Sequence, residues 1–215
     1  TTLAEEVQAV LTLADNLDAA DPKLDALFQI LTEKLSLPNN KVLLFSSFRH
    51  TLRYLHDYLV ARGLRVALIH GDIPDEERVT LRDHFSRPKE DPEAVDVLLS
   101  SEVGCEGLDY QFCDCLVNYD LPWNPMRVEQ RIGRIDRYGQ QSETVAIYNL
   151  VTLDTVDFDI YERCHLRIGV FRQALGGSEE ILGQITRELH AVAENLELTE
   201  DERRQRLQQL ADNAI

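Results

Sequence analysis

Hydrophobic positions along this chain of 215 residues follow two rhythms. The first is helical. Leu24, Leu27, Phe28, Leu31 and Leu35 recur at three- and four-residue spacing, and similar spacing predicts helices over 3–17 and 22–37. Asp21-Pro22 is a start signal for the second helix, and Leu37-Pro38-Asn39-Asn40 is a stop. The second rhythm is a short unbroken apolar run bounded by turn residues. It occurs at 41–48 (KVLLFSSF), 65–71 (RVALIHG), 95–101 (VDVLLSS), 115–120 (CLVNYD) and 144–151 (TVAIYNLV). The first suits a strand covered on both faces, the second reads as another buried strand, and the other three read as strands. Between them lie amphipathic segments at 50–62, ending at Gly63, and at 73–85, starting near Pro74. A third helix opens at Asn124-Pro125, with proline at the first helical position. Beyond 154 the rhythm is helical again, over roughly 154–175, 178–197 and 199–213, with breaks at Gly176-Gly177 and near Leu198-Thr199. Thr199-Glu200-Asp201-Glu202 has the form of a capping box.

Short apolar strands alternating with amphipathic helices predict βαβ units, a parallel sheet and right-handed crossovers. The chain divides into N-terminal helices at 1–40, an α/β lobe at 41–153 and a helical extension at 154–215. The charged, proline-containing loop 87–92 is the expected soft spot.

Composition adds bounds. The chain is 44% hydrophobic and 28% charged, an ordinary globular balance, with a formal charge of −16. The acidic surplus lies mainly at the two ends. Nucleic-acid affinity rests on phosphate contacts, so an acidic chain binds DNA only locally or with help from another domain. No apolar run reaches the roughly 18 residues of a membrane span. There is no secretory signal and the first residue is Thr1, so a cytoplasmic fragment of a longer protein is expected. Cys105, Cys113, Cys115 and Cys164 form no CxxC pair, which favours buried or free thiols over a zinc site. The six histidines show no metal-ligand spacing, and no metal site is expected in this chain.

In an open parallel sheet, ligands bind beyond the carboxyl ends of the strands. Those ends release Ser46, Ser47 and Phe48; His70-Gly71-Asp72; the loop 101–109 (SEVGCEGLD); and Asp120-Leu121-Pro122-Trp123, followed by the segment 124–140 (NPMRVEQRIGRIDRYGQ). All four basic residues of that segment, at 127, 131, 134 and 137, are arginines. Read as a continuous helix, it places Gln130, Arg134 and Arg137 within about 60° of one another, opposite Val128, Ile132 and Ile135. Guanidiniums grip phosphate in a bidentate fork. A solvated arginine face is the commoner use of such a helix. Gly133 inside the pattern and the lack of lysine argue against it. Gly104 and Gly107 let backbone approach a ligand, and Asp109 can accept from a ribose hydroxyl or hold a basic partner. A plain loop with a capping carboxylate competes evenly for that stretch. No GxxxxGK[ST] phosphate loop is present. Asp75-Glu76-Glu77 opens a helix, where acids suit the dipole, and is read as structural.

At these residues the chain resembles the second RecA-like lobe of superfamily-two helicase-type ATPases. More narrowly it is similar to the Swi/Snf-type branch in its bacterial, RapA (HepA)-like form, over roughly 22–175. KVLLFSSF resembles motif IV, and LIHGDIPDEERVTLRDHF the segment after it. LLSSEVGCEGLDYQFCDCLVNYDLPWNP resembles motif V and its continuation, and EQRIGRIDRYGQ resembles motif VI. The resemblance implies a RecA-like three-layer sandwich with a mostly parallel central sheet. It implies that Arg134 and Arg137 act as arginine fingers, supported by Gln130. ATP with Mg2+ would be held mainly by a first lobe outside this chain. Gly107 and Asp109 would touch nucleotide, and Ser46, Ser47, Ser100 and Ser101 the backbone of double-stranded DNA. Trp123 and Asn124 match the family's W-N-P stretch. Glu102 and Glu106 depart from many relatives, which have uncharged or basic residues there.

Two functions follow as expectations. One is the second motor lobe of an ATP-dependent double-stranded-DNA translocase, inactive without its first lobe, with RNA polymerase or another protein as a further candidate partner. The other is a non-catalytic RecA-like interaction module that uses its acidic helices.

Overall fold

The computed structural model describes residues 3–16, 20–161, 187–188, 191–195 and 198–213. Its elements, in chain order, are α1 (Leu3–Asp15), α2 (Pro22–Ser36), β1 (Val42–Phe45), α3 (Arg49–Ala61), β2 (Val66–Ile69), α4 (Asp75–Ser86), β3 (Val97–Ser100), β4 (Cys115–Asn118), α5 (Pro125–Ile132), β5 (Ala146–Asn149), α6 (Val156–Ile160) and α7 (Glu200–Asn213). Local chemistry sets the boundaries. The Asp21 carboxylate accepts from the Leu24 N–H at 2.9 Å and caps α2. Gly63 takes φ +77° just past α3. Asp75, Glu76 and Glu77 fill the first turn of α4, and Arg78 pairs with Asp75 at 2.8 Å, in line with a structural role for the acidic triplet. Before α7, the Glu202 carboxylate accepts from the Thr199 N–H at 2.9 Å, while the Thr199 hydroxyl accepts from the Glu202 N–H at 3.3 Å.

The five strands form one sheet in the order β2-β3-β1-β4-β5, every neighbouring pair parallel. Strand alternation builds two cores. Val42, Leu44, Val97, Leu99 and Val117 point to the face covered by α2 and α3, where they meet Leu24, Leu27, Leu31, Leu52, Leu55 and Leu59. Leu43, Phe45, Leu98 and Leu116 point the other way, to Phe85 of α4 and to Cys105, Tyr110, Cys113 and Ile135. This gives a three-layer sandwich, and β1, β3 and β4 are buried throughout. β5 at the sheet edge is exposed along its length.

Two expectations change. The loop 87–92 is not loose: Arg87 pairs with Asp83 and Glu93, Arg65 donates to the Asp91 and Lys89 carbonyls at 2.8 and 3.0 Å, and Lys89 donates to the Leu35 carbonyl at 2.8 Å. Its charges serve as anchors. Of the helices expected beyond 154, α6 and α7 occupy parts of the first and the third. Most of 178–197, and Cys164, lie outside the described residues. Leu207 of α7 is fully buried and packs with Trp123, Met126 and Val156, so the acidic C-terminal segment rests against the start of α5.

Candidate functional site

Strand order places the site. The chain leaves β1 for β2, returns through β3 between them, and crosses to β4 on the far side of β1. The turns after β1, β3 and β4 therefore gather at one end of the sheet.

The turn after β1 is closed by Asp120. Its carboxylate accepts from the Ser46 hydroxyl and, at 2.8 Å, from the Ser47 N–H. Ser46 is fully buried, and so is Ser100, whose hydroxyl donates to the Ser101 carbonyl at 2.7 Å. These two serines are corrections: their hydroxyls are spent inside the fold and no longer face a nucleic-acid backbone. Ser47 is exposed and Ser101 half-buried.

The arginine segment is the larger correction. Asn124 caps α5 by accepting from the Met126 N–H at 2.9 Å, but the helix stops at Ile132. Gly133 donates to the Glu129 carbonyl at 2.7 Å, and the chain then tightens into successive turns, Arg134 N–H to the Arg131 carbonyl and Ile135 N–H to the Ile132 carbonyl, each at 3.0 Å. No continuous helix carries Gln130, Arg134 and Arg137 on one face. Gln130 is exposed, and among the described residues no side-chain hydrogen bond joins it to either arginine. Arg134 is half-buried with no ion-pair partner among the described residues. Arg137 is exposed and pairs with Asp109. The Tyr110 N–H donates to the Arg134 carbonyl at 2.9 Å, so Asp109, Arg134 and Arg137 do come together, through turns instead of a helix face.

Arg131 lies deepest, at 2% exposure. It donates to the Asn118 side-chain oxygen at 2.9 Å, the Asp120 carbonyl at 2.8 Å, the Ser47 hydroxyl at 3.2 Å and the Glu102 carboxylate at 3.0 Å. Its guanidinium also lies over the Phe45 ring, 5.2 Å from the centroid. Burial pulls its pKa down, and the charges of Glu102 and Asp120 oppose that. One side chain thus ties the exits of β1 and β4 to the loop that follows β3. An isolated buried charge costs several kcal/mol, so the site holds together only with these partners in place. Glu102, which the family comparison marked as a departure, is one of them. Its carboxylate also accepts from Arg127.

The loop 101–109 is held from the opposite side. Arg78 donates to the Gly104 and Glu106 carbonyls at 3.0 and 2.6 Å, and Arg82 to the Asp109 carbonyl at 2.7 Å. A Cβ on Gly104 would lie 2.6 Å from the Ile69 carbonyl oxygen, so only glycine fits. Gly107 takes φ +77°. Asp109 is therefore presented on a backbone with little freedom.

Sequence reasoning missed the anchoring roles of Arg78, Arg82, Arg131 and Asp120. It also missed a cavity of about 210 Å³ lined by Arg49, His50, Arg53 and His70, beside the Arg49–Asp72 pair. The available signal was that FRH and IHG both follow strand ends. Among the described residues no group of His, Cys, Asp and Glu is placed to hold a metal, and no helix is long and apolar enough to cross a membrane.

Residues 22–139 match the family described as the helicase conserved C-terminal domain. The chain is 39% identical over 147 residues to the ATP-dependent helicase YqhH of Bacillus subtilis, covering 68% of this chain and 25% of that protein. It is 38% identical over 124 residues to the RNA polymerase-associated protein RapA of Proteus mirabilis, covering 57% and 12%. The chain thus spans about a quarter or less of these relatives. Among solved structures, the C-terminal part of the Fun30 ATPase domain aligns with a TM-score of 0.59 at 24% identity, covering 73% of this chain and 50% of that one. The Hef helicase domain of Pyrococcus furiosus aligns at 0.57 and 26% identity, covering 75% and 32%. The three-layer parallel fold and the matched span agree: this chain belongs to the helicase conserved C-terminal domain family and has the fold of a RecA-like helicase lobe.

Proposed function

We propose that this chain is the second motor lobe of an ATP-driven double-stranded-DNA translocase of the RapA-like branch. The observation that carries the reading is the state of Arg134 and Arg137. Both leave the successive turns that follow α5, beside Asp109. One has no ion-pair partner among the described residues, and the other is held only by a half-exposed carboxylate. Guanidiniums so placed are available to a triphosphate brought by a facing lobe.

ATP with Mg2+, held by that first lobe, supplies the phosphoryl group whose transfer to water drives the motor. Arg137 leaves Asp109 and, with Arg134, donates to the oxygens on which charge develops, an electrostatic role worth roughly 10³–10⁵ in rate. Asp109, released, is free to accept from a ribose hydroxyl, and the positive φ of Gly107 keeps side-chain bulk away from that approach. Ser47 and Ser101 offer hydroxyl donors to the DNA backbone without reading sequence. The Arg49, His50, Arg53 and His70 cavity extends the same track. Arg131 and Glu102 join the turn that carries Ser47 to the segment that carries the fingers, so phosphate contact and finger placement share one framework.

The test uses the full-length protein. Arg134→Ala and Arg137→Ala should each abolish ATP turnover at an unchanged unfolding midpoint, and the chain alone should hydrolyse almost no ATP. Near-normal turnover in both variants removes the finger role and leaves the interaction-module reading.

A further inference from the structure

Arg127 stands in the first turn of α5 with its side chain 58% exposed, and it donates to Glu102. The other Glu102 oxygen accepts from buried Arg131 at 3.0 Å, and Arg131 donates to the Ser47 hydroxyl at 3.2 Å. An unbroken chain of hydrogen bonds therefore runs from an exposed guanidinium to the exposed hydroxyl at the end of β1. Charge in this cluster balances: Arg127 and Arg131 face Glu102 and Asp120, the last 3.8 Å from Arg131. A neutral cluster has little attraction for phosphate. Three of its four members are fixed. Arg131 has four acceptors, Asp120 is held by Ser46 and Ser47, and Glu102 keeps Arg131 as a partner whatever Arg127 does. Only Arg127 can exchange partners without leaving a buried charge unpaired. Exposed ion pairs are weak, so a phosphate oxygen competes for it on nearly equal terms.

We propose that Arg127 is a conditional ligand for a DNA phosphate, and that Glu102 withholds it until the backbone reaches Ser47 and Ser101. This rests on the reading of the rim as a DNA track. Glu102 is then a positioning residue. It lowers resting affinity for DNA and releases one cation when DNA arrives, so the grip on the backbone changes as the lobe engages.

The experiment measures binding of a labelled 30-bp duplex to the full-length protein across a KCl series, for wild type, Glu102→Gln, Arg127→Ala and the double variant. Each phosphate neutralised adds about 0.9 to the slope of log affinity against log salt. Arg127→Ala should lower that slope by about 0.9. Glu102→Gln keeps an oxygen for Arg131 and frees Arg127, so binding should tighten roughly two- to five-fold, the strength of one exposed pair. The double variant should fall back to the Arg127→Ala level. An unchanged slope in Arg127→Ala overturns the proposal. So does tightening by Glu102→Gln that persists in the double variant, because Glu102 would then act by plain repulsion. A wild-type protein that binds no duplex at any salt removes the DNA-track reading itself, a distinct result.

Discussion

The two ends of the sheet use similar charged groups for opposite ends. At the entry to the strands, Asp96 is buried and saturated. Its carboxylate accepts from Asn40 at 2.6 Å and from two nitrogens of Arg65 at 2.8 and 2.7 Å, with Lys41 at 3.5 Å. Lys41 and Arg65 spend their remaining donors on the carbonyls of Val95, Asp91 and Lys89. Lys34 and Asp114 close the same edge at 2.6 Å. At the exit, Arg131 is as deeply buried, but the groups around it are not closed off. Arg127 beside it, and Arg137 in the turns beyond α5, are 58% and 44% exposed, each held by a single carboxylate. Saturation, not charge, separates a staple from a site. A buried ion whose every valence is met does structural work only. A rim where cations keep solvent and one replaceable partner can trade that partner for a ligand.

The strongest way to break this comparison is to remove one charged group from each network. Arg137→Ala in the full-length protein should cut ATP turnover by 10³-fold or more, the lower range for such a group, at an unchanged urea midpoint. A variant that instead unfolds would move Arg137 into the staple class.

Asp96→Ala should do the reverse. It strands Lys41 and Arg65 and should cost about 3–5 kcal/mol in urea unfolding, while turnover per folded molecule stays at the wild-type level. A loss under 1 kcal/mol would show that the entry-edge network is replaceable by water.

The fold was legible because its strands are continuous apolar runs of strand length, and because Asp21, Gly63, Pro74 and Thr199 punctuate the helices. The site was legible only in part. Arg134, Arg137, Asp109 and Gly107 could be named through the resemblance to motifs V and VI, not from residue type alone. Their geometry could not. A helical wheel carries Gln130, Arg134 and Arg137 to one face only if the helix runs through Gly133. A glycine that merely weakens an isolated helix here ends it, because burying Ile135 in the α4-side core draws the chain inward. Ser46 and Ser100 carry the same label as Ser47 and Ser101 in sequence. Which pair is buried depends on the carboxylate of Asp120, 74 residues beyond Ser46, and on strand register. Arg131 looked like its neighbours because its partners lie on three separate segments.

Gly104 sharpens the comparison at the rim itself. Gly104→Ala would push a methyl against the Ile69 carbonyl, and the loop must shift to admit it. The expected cost is about 1–3 kcal/mol, with a rise in KM for ATP as Asp109 moves. A stability loss with KM unchanged would show that Arg78 and Arg82 hold Asp109 independently of Gly104.

The smallest effect comes from alkali, and it should arise in the buried core. Burial pushes the thiols of Cys113 and Cys115 up from 9 to about 12. The unfolded chain releases those protons near pH 9 and the folded chain does not. Their contribution to stability is therefore full below pH 9 and is lost as pH climbs from 9 through about 12. Each thiol should cost about 1 kcal/mol by pH 10, before Tyr110 and Tyr119, raised from 10, add their own loss. Urea unfolding at half-unit steps from pH 8.5 to 10, with Cys115→Ala as the partner variant, separates the contributions. Wild type should lose stability steeply and the variant less steeply, with Cys113 and the buried Cys105 thiol still contributing. A flat wild-type profile would mean that the thiols already meet water, and that the entry edge is less closed than its hydrogen bonds make it.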